Sequence, residues 1–184
     1  MSDQDAYFAV KAAELGRAFD RSFAEPPCIE QAPLEELLAL RVGSDPYAIR
    51  LVEITGVFPG RAVTRLPNAV PEFLGIAGFR GNLVPVWDLG RLLGYPGGEA
   101  PRWLVIAAAT PVALAFDGFD GHLRLSRTAI ASEEPGAQRR PHLREVVRAV
   151  GPSAQSQEGL IRPIVGVASV LGAIKRLVKN GVAK

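Results

Sequence analysis

Apolar positions along this chain follow two rhythms. Near each end they recur at helical spacing. Between the ends they come in short runs broken by Gly, Pro, Asp and Asn. Phe8, Ala12, Leu15, Phe19 and Phe23 are spaced i, i+4, i+7, i+11 and i+15, which predicts an amphipathic helix over residues 5–24. Lys11, Glu14, Arg17 and Asp20 lie largely off that stripe. Pro26-Pro27 stops the helix and opens a linker to Pro33. Residues 1–32 therefore read as a helical extension and residues 33–184 as the main domain.

Within the main domain the runs are strand-length. Leu37 to Val42 reads as a strand, Gly43-Ser44-Asp45-Pro46 as a turn, and Tyr47 to Val52 as the returning strand, with Tyr47, Ile49 and Leu51 on one face. Val57 to Arg65 continues in extended form. Ile76 to Phe79 and Leu83 to Leu89 pair around Gly81-Asn82, a two-residue hairpin turn. Leu104 to Ala109 and Val112 to Phe116 pair around Thr110-Pro111. Asp117-Gly118 and Asp120-Gly121 mark further turns, and His122 to Leu125 a short strand. Residues 128–145 are polar and read as a loop, with room for a short helix at Leu143 to Val147. Val146 to Val150 and Leu160 to Val165 are the last strands. From Val167 a helix is predicted with Val170, Leu171, Ile174, Leu177 and Val178 inward and Asn180-Gly181 as its C-terminal cap. Many short strands and few long helices define an all-β sandwich or barrel.

Composition narrows the partner classes. The chain has 184 residues, 48% apolar and 22% charged, which suits one soluble domain with a sizeable core. A formal net charge of +2 does not demand a nucleic-acid or membrane partner. The one cysteine, Cys28, has no partner for an internal disulfide, so a cytoplasmic location is expected. No signal-peptide pattern is present, and no apolar run approaches the ~18 residues of a membrane-spanning helix.

Candidate chemistry is sparse. His122 and His142 stand without Cys or His at zinc spacing, and Cys28 has no neighbouring base. Ser126 and Ser132 lack a nucleophile elbow. Asp117 and Asp120 fit Asp-Gly turns better than a calcium loop, and Asp88 fits the cap of a turn over Leu89 to Leu93. Arg139, Arg140, Arg144 and Arg148 form a basic cluster, either a solvated loop face or a site for an acidic partner or a phosphate backbone. Aromatic residues are 7% of the chain, and none lies in that cluster to stack on bases. No cofactor and no metal are expected, and the chain reads as an interaction module, not an enzyme. Arg80 is the leading contact residue, a fixed planar cation at a hairpin tip suited to a carboxylate or carbonyl on a partner helix. Phe79 beside it is either a contact aromatic or core. Gly75, Gly78 and Gly81 permit a tight turn or close backbone approach.

The ordered series Gly75-Ile76-Ala77-Gly78-Phe79-Arg80-Gly81, then Pro85-Val86-Trp87-Asp88-Leu89, resembles the bacterial chemotaxis coupling protein family, CheW. That family typically shows a Gly-x-x-Asn-x-Arg-Gly hairpin running into Pro-Val-x-Asp-Leu. Leu38 to Val42 and Tyr47-Ala48-Ile49 resemble its opening strands. Val112 to Gly118 and Gly159 to Leu171 resemble its later ones, so the likeness covers roughly residues 34–178. Gly78 stands where the family has Asn, and Trp87 where it has an aliphatic residue. Ile54-Thr55-Gly56-Val57, set against the family's Val-x-Glu-Val after the second strand, lacks the Glu.

The resemblance implies two small five-stranded SH3-like β-barrels sharing a core. It also implies a non-catalytic, cytoplasmic adaptor between a chemoreceptor tip and a CheA-type histidine kinase. By the same resemblance Phe79, Arg80 and Gly81 would meet the receptor. Ile54, expected to be exposed, would meet the kinase with Leu74 and Gly75. Two other readings are a diverged adaptor of this type serving a pathway other than chemotaxis and a small-barrel nucleic-acid binder.

Overall fold

Runs such as Leu37-Leu38-Ala39-Leu40 and Ala113-Leu114-Ala115-Phe116 have no polar side, so a strand made from them must be covered on both faces. The computed structural model describes residues 34–67, 70–97, 101–132, 142–148 and 161–182, and meets that demand with two sheets. The helix predicted over residues 5–24 lies outside the described residues. Eleven strands form in the order β1 (Leu34–Val42), β2 (Asp45–Arg50), β3 (Ile54–Pro59), β4 (Phe73–Phe79), β5 (Asn82–Asp88), β6 (Trp103–Ala107), β7 (Ala113–Phe116), β8 (Gly118–Ser126), β9 (Ile130–Ser132), β10 (Leu143–Arg148) and β11 (Ile161–Val165). A short helix α1 (Leu89–Leu92) follows β5, and a long helix α2 (Val167–Val182) follows β11.

The first barrel is the sheet β8-β1-β2-β11-β10-β9. It has one strand more than the expected five. The reason is a single bent strand: the 3-10 turn Arg127–Ala129 divides β8, which pairs with β1, from β9, which pairs with β10. Both edges of the sheet are thus parts of one continuous chain segment, and the sheet curls until they meet. The second barrel is the sheet β3-β6-β7-β5-β4. The chain leaving β3 reaches β4 at Thr64, whose N–H donates to Ile76 O (2.8 Å) and whose carbonyl accepts from Ile76 N (3.0 Å). That bridge closes the second barrel.

Strand alternation sorts the apolar side chains into three clusters. Leu37, Ala48, Val147 and Ile164 fill the first barrel. Ala77, Phe79, Val84, Val86, Leu104, Ala113 and Ala115 fill the second. Between them runs a shared core that includes Leu38, Leu40, Tyr47, Ile49, Val105, Leu114 and Phe116, together with Val170 and Ile174 of α2. Neighbours on one strand, such as Ala113 and Leu114, thereby serve different cores. On β7 the alanines Ala113 and Ala115 face the interior of the second barrel, and Leu114 and Phe116 face the shared core.

Several sequence expectations are corrected. The β4–β5 turn is Arg80-Gly81, not Gly81-Asn82, because Phe79 pairs with Asn82. Asp120-Gly121 is not a turn. It is a bulge within β8, where the register against Ala39 and Leu40 shifts. Leu143 to Val147 is strand, held between β9 and β11, not loop or helix. The second strand stops at Arg50, and a 3-10 turn over Leu51–Glu53 follows. Helix α2 begins at Val167 as predicted and buries Val170, Leu171 and Ile174, but Val178 is 46% exposed and the helix runs past Asn180-Gly181 to Val182. Among the described residues no helix is long and apolar enough to cross a membrane.

Candidate functional site

Arg80, the contact residue expected from the sequence, stands at the tip of the β4–β5 hairpin. A two-residue hairpin of right-twisted strands wants positive φ at both turn positions. Arg80 (φ 47°) and Gly81 (φ 83°) supply it. A non-glycine residue in the left-handed region is uncommon, so placing Arg here gives up some backbone ease for a side chain at the tip. Gly78, Arg80, Gly81, Asn82 and Leu83 are all exposed, Leu83 at 72%.

Phe79 is only 5% exposed, so its ring is core and supports the tip from beneath. It packs edge-on against Phe58, with centroids 4.9 Å apart. Above this pair lies a residue missed in the sequence, Arg61. Its guanidinium carbon sits 5.8 Å from the Phe58 ring and 5.6 Å from the Phe79 ring. Its signal was non-local, because Phe58, Arg61 and Phe79 meet only once the chain after β3 turns onto β4.

None of the three residues expected at the kinase is fully exposed. Ile54 is half-buried, pairs with Ala107 and packs against the shared core. Leu74 is half-buried and packs against the core of the second barrel. Gly75 is buried at φ 136°, and a Cβ there would meet the Thr64 carbonyl oxygen at 2.1 Å. Glycine is needed at that position for the barrel closure itself. The exposed apolar residue near Ile54 is Val52, 82% accessible.

Because β2 ends at Arg50, the segment after the second strand is Leu51-Val52-Glu53-Ile54. That segment does contain a glutamate between apolar residues, contrary to the expectation that the Glu is missing. Glu53 accepts from Ala108 N through its carbonyl (2.9 Å) and from Val167 N through its carboxylate (3.5 Å). It ties the 3-10 turn to the start of α2, where a carboxylate suits the positive end of the helix dipole.

Asp88, Asp117, Asp120, Ser126 and His142 have structural partners. Asp88 Oδ1 accepts from Arg91 N (3.1 Å), the cap foreseen for the turn that follows. Asp117 accepts from Gly43 N (2.6 Å). Asp120 sits between Arg41 (2.8 Å) and Arg162 (2.9 Å). Ser126 caps the 3-10 turn through Thr128 N (3.4 Å). His142 Nδ1 and Ser169 Oγ are 2.9 Å apart. Burial, with the Arg176 charge adding to it, holds the His142 imidazole below its ordinary pKa. Burial also lowers the Arg50 pKa, but hydrogen bonds and charge from Glu145 and Glu35 outweigh it and the net shift is upward. Of the basic cluster, Arg144 and Arg148 lie on β10, and Arg139 and Arg140 fall outside the described residues. Among the described residues no three His, Cys, Asp or Glu gather into a metal site.

With two barrels, a shared core and an exposed arginine hairpin, comparison with known proteins defines the class. A family model described as the CheW-like domain matches residues 36–170. The chain belongs to the CheW-like family. It is 27% identical over 74 residues to a "Probable chemotaxis protein CheW" of Rhizobium etli, a match covering 40% of this chain and 48% of that one. The chain thus spans about half the length of that curated relative. Its fold is similar to the crystal structure of the scaffolding protein TtCheW from Thermoanaerobacter tengcongensis, with TM-score 0.61, 14% identity, and coverage of 73% of this chain and 90% of that one.

Proposed function

We propose that this chain is a non-catalytic coupling adaptor that holds a chemoreceptor tip and a CheA-type histidine kinase in one geometry. The observation that carries the reading is the CheW-like match running through both barrels, from residue 36 to residue 170. The hairpin at Arg80 and Gly81 is the receptor-facing element, rigid because Phe79 anchors it in the core. The kinase-facing edge is the turn at Val52 and Ile54. Leu74 and Gly75 shape the second barrel from within. Such a protein acts by differential contact: it shifts the kinase equilibrium only as far as the receptor favours one arrangement over another. The complex forms in the cytoplasm, without cofactor, metal or nucleic acid.

The test is titration calorimetry against the receptor tip and against the regulatory domain of the kinase. Arg80→Glu is expected to weaken receptor binding by about tenfold or more while kinase binding and the circular dichroism spectrum stay as they were, because reversing a charge at an interface acts on that contact alone. Unchanged receptor affinity in that variant would remove the hairpin from the receptor contact.

A further inference from the structure

The arginines of the two barrels are treated differently. In the first barrel the arginines whose side chains are described are paired internally: Arg41 with Asp120, Arg50 with Glu35 and Glu145, Arg124 with Glu36, Arg127 with Glu35, and Arg162 with Asp120. In the second barrel, between Ile54 and Phe116, the described carboxylates are Glu72 and Asp88, and Asp88 is held by Arg91 at 3.4 Å. Arg61, Arg80 and Arg102 are exposed and have no acidic partner among the described residues. They also lie at one rim. Arg102 O accepts from Gly60 N (2.9 Å), Arg61 is the next residue, its guanidinium rests on Phe79, and Arg80 follows Phe79 in the chain.

A guanidinium laid on aromatic rings is pre-ordered, and its N–H donors remain available at the ring-free edge. An arginine held in this way gives up little rotamer freedom when a carboxylate arrives. We infer that Arg61 and Arg80, with Arg102 at their flank, form a two-carboxylate docking site, and that its occupant is an acidic protein segment. Charge complementarity sets the occupant: among the described residues the rim cations have no counter-charges, and Leu83 beside them (72% exposed) gives such a segment an apolar foothold. The inference deepens the receptor-facing reading of the hairpin and rests on it only for the partner's name. Specificity then comes from the spacing of two carboxylates, which a single hairpin arginine cannot read.

The experiment titrates the full chain with two protein probes, the receptor tip and a glutamate-rich helical peptide, alongside the same peptide with Gln at every Glu. Arg61→Ala and Arg80→Ala are each expected to weaken binding to both acidic probes about tenfold, the double variant more, and Arg61→Lys to recover only part, since Lys keeps the charge but not the planar fork. Affinity should fall steeply with added salt, and the Gln peptide should not bind. Arg124→Ala, which removes a paired arginine of the first barrel, should change nothing. Receptor binding unaffected by Arg61→Ala would overturn the two-cation site and leave the adaptor reading standing. Arg61-dependent binding of the glutamate peptide without receptor binding would keep the site and remove the receptor. Binding of neither probe removes both. Tighter binding of a duplex oligonucleotide than of the acidic peptide would make the site a phosphate reader and overturn the inference.

Discussion

The two barrels share a core and a strand architecture, yet they spend charge in opposite ways. The described arginine side chains of the first barrel turn on its own carboxylates, and the best placed, Arg162, is 14% exposed and also reaches the carbonyls of Leu40 and Tyr47. The second barrel leaves its rim arginines facing water beside an exposed leucine. One half is internally satisfied, as suits a scaffold. The other keeps its polar capacity for something outside the chain. The comparison teaches that function in this fold is read less from which residues are charged than from which charges lack an internal partner.

The shared core is where the two halves are least alike in use and most dependent on each other. Phe116, 1% exposed, stands between them. Phe116→Ala is expected to remove about 3–5 kcal/mol. Both barrels should melt together in a single calorimetric transition, because neither can cover its outer strand face alone. Two separate transitions would break the picture of one welded unit.

The charge contrast gives the next largest effect. Arg162→Met should cost about 1–3 kcal/mol in urea unfolding, since charge-assisted hydrogen bonds to half-buried partners are lost. Arg61→Met should change stability by under about 1 kcal/mol, the scale of an exposed cation–π contact. Equal losses in the two variants would dissolve the distinction between the barrels.

The smallest effect is a pH dependence. Burial holds His142 below its ordinary pKa of 6.5 in the folded chain, so between that folded value and about 6.5 the unfolded chain binds the extra proton. Stability is therefore whole above that window and declines as pH falls through it. His142→Asn should flatten this part of the stability curve, as read by urea midpoints at pH 7 and pH 5. An unaltered slope would show that His142 does not set it.

Much of the fold was legible because strands buried on both faces leave continuous apolar runs. The strands predicted at Leu37 to Val42, Tyr47 to Val52, Leu104 to Ala109 and Val112 to Phe116 all formed, with ends that differ by one to three residues. Capping of the turn after β5 by Asp88 and the start of α2 at Val167 followed from local chemistry. What escaped was whatever depended on a distant partner. Glycine propensity favours Gly81-Asn82 as a turn, but the pairing of Phe79 with Asn82 puts Arg80 in the left-handed position instead. The segment Leu143 to Arg148 is rich in charge and becomes a strand only because β9 and β11 flank it. Arg80 was visible as a lone cation in a glycine-rich hairpin. Its neighbour Arg61 was not, because a cation–π platform built from residues 58 and 79 has no local signature.

The closures of the two rings have a consequence for how each half breathes. The first is sealed by a strand that belongs to both of its edges, so no pairing can be peeled away without bending the chain itself. The second is held shut by one clasp, the Thr64–Ile76 bridge, with Gly75 seated under it. A ring joined at one link opens at that link, and local opening costs least where the fewest hydrogen bonds must break together. The half that faces outward is therefore also the half with a seam, and the seam lies on the same strand that carries Arg80 to its tip.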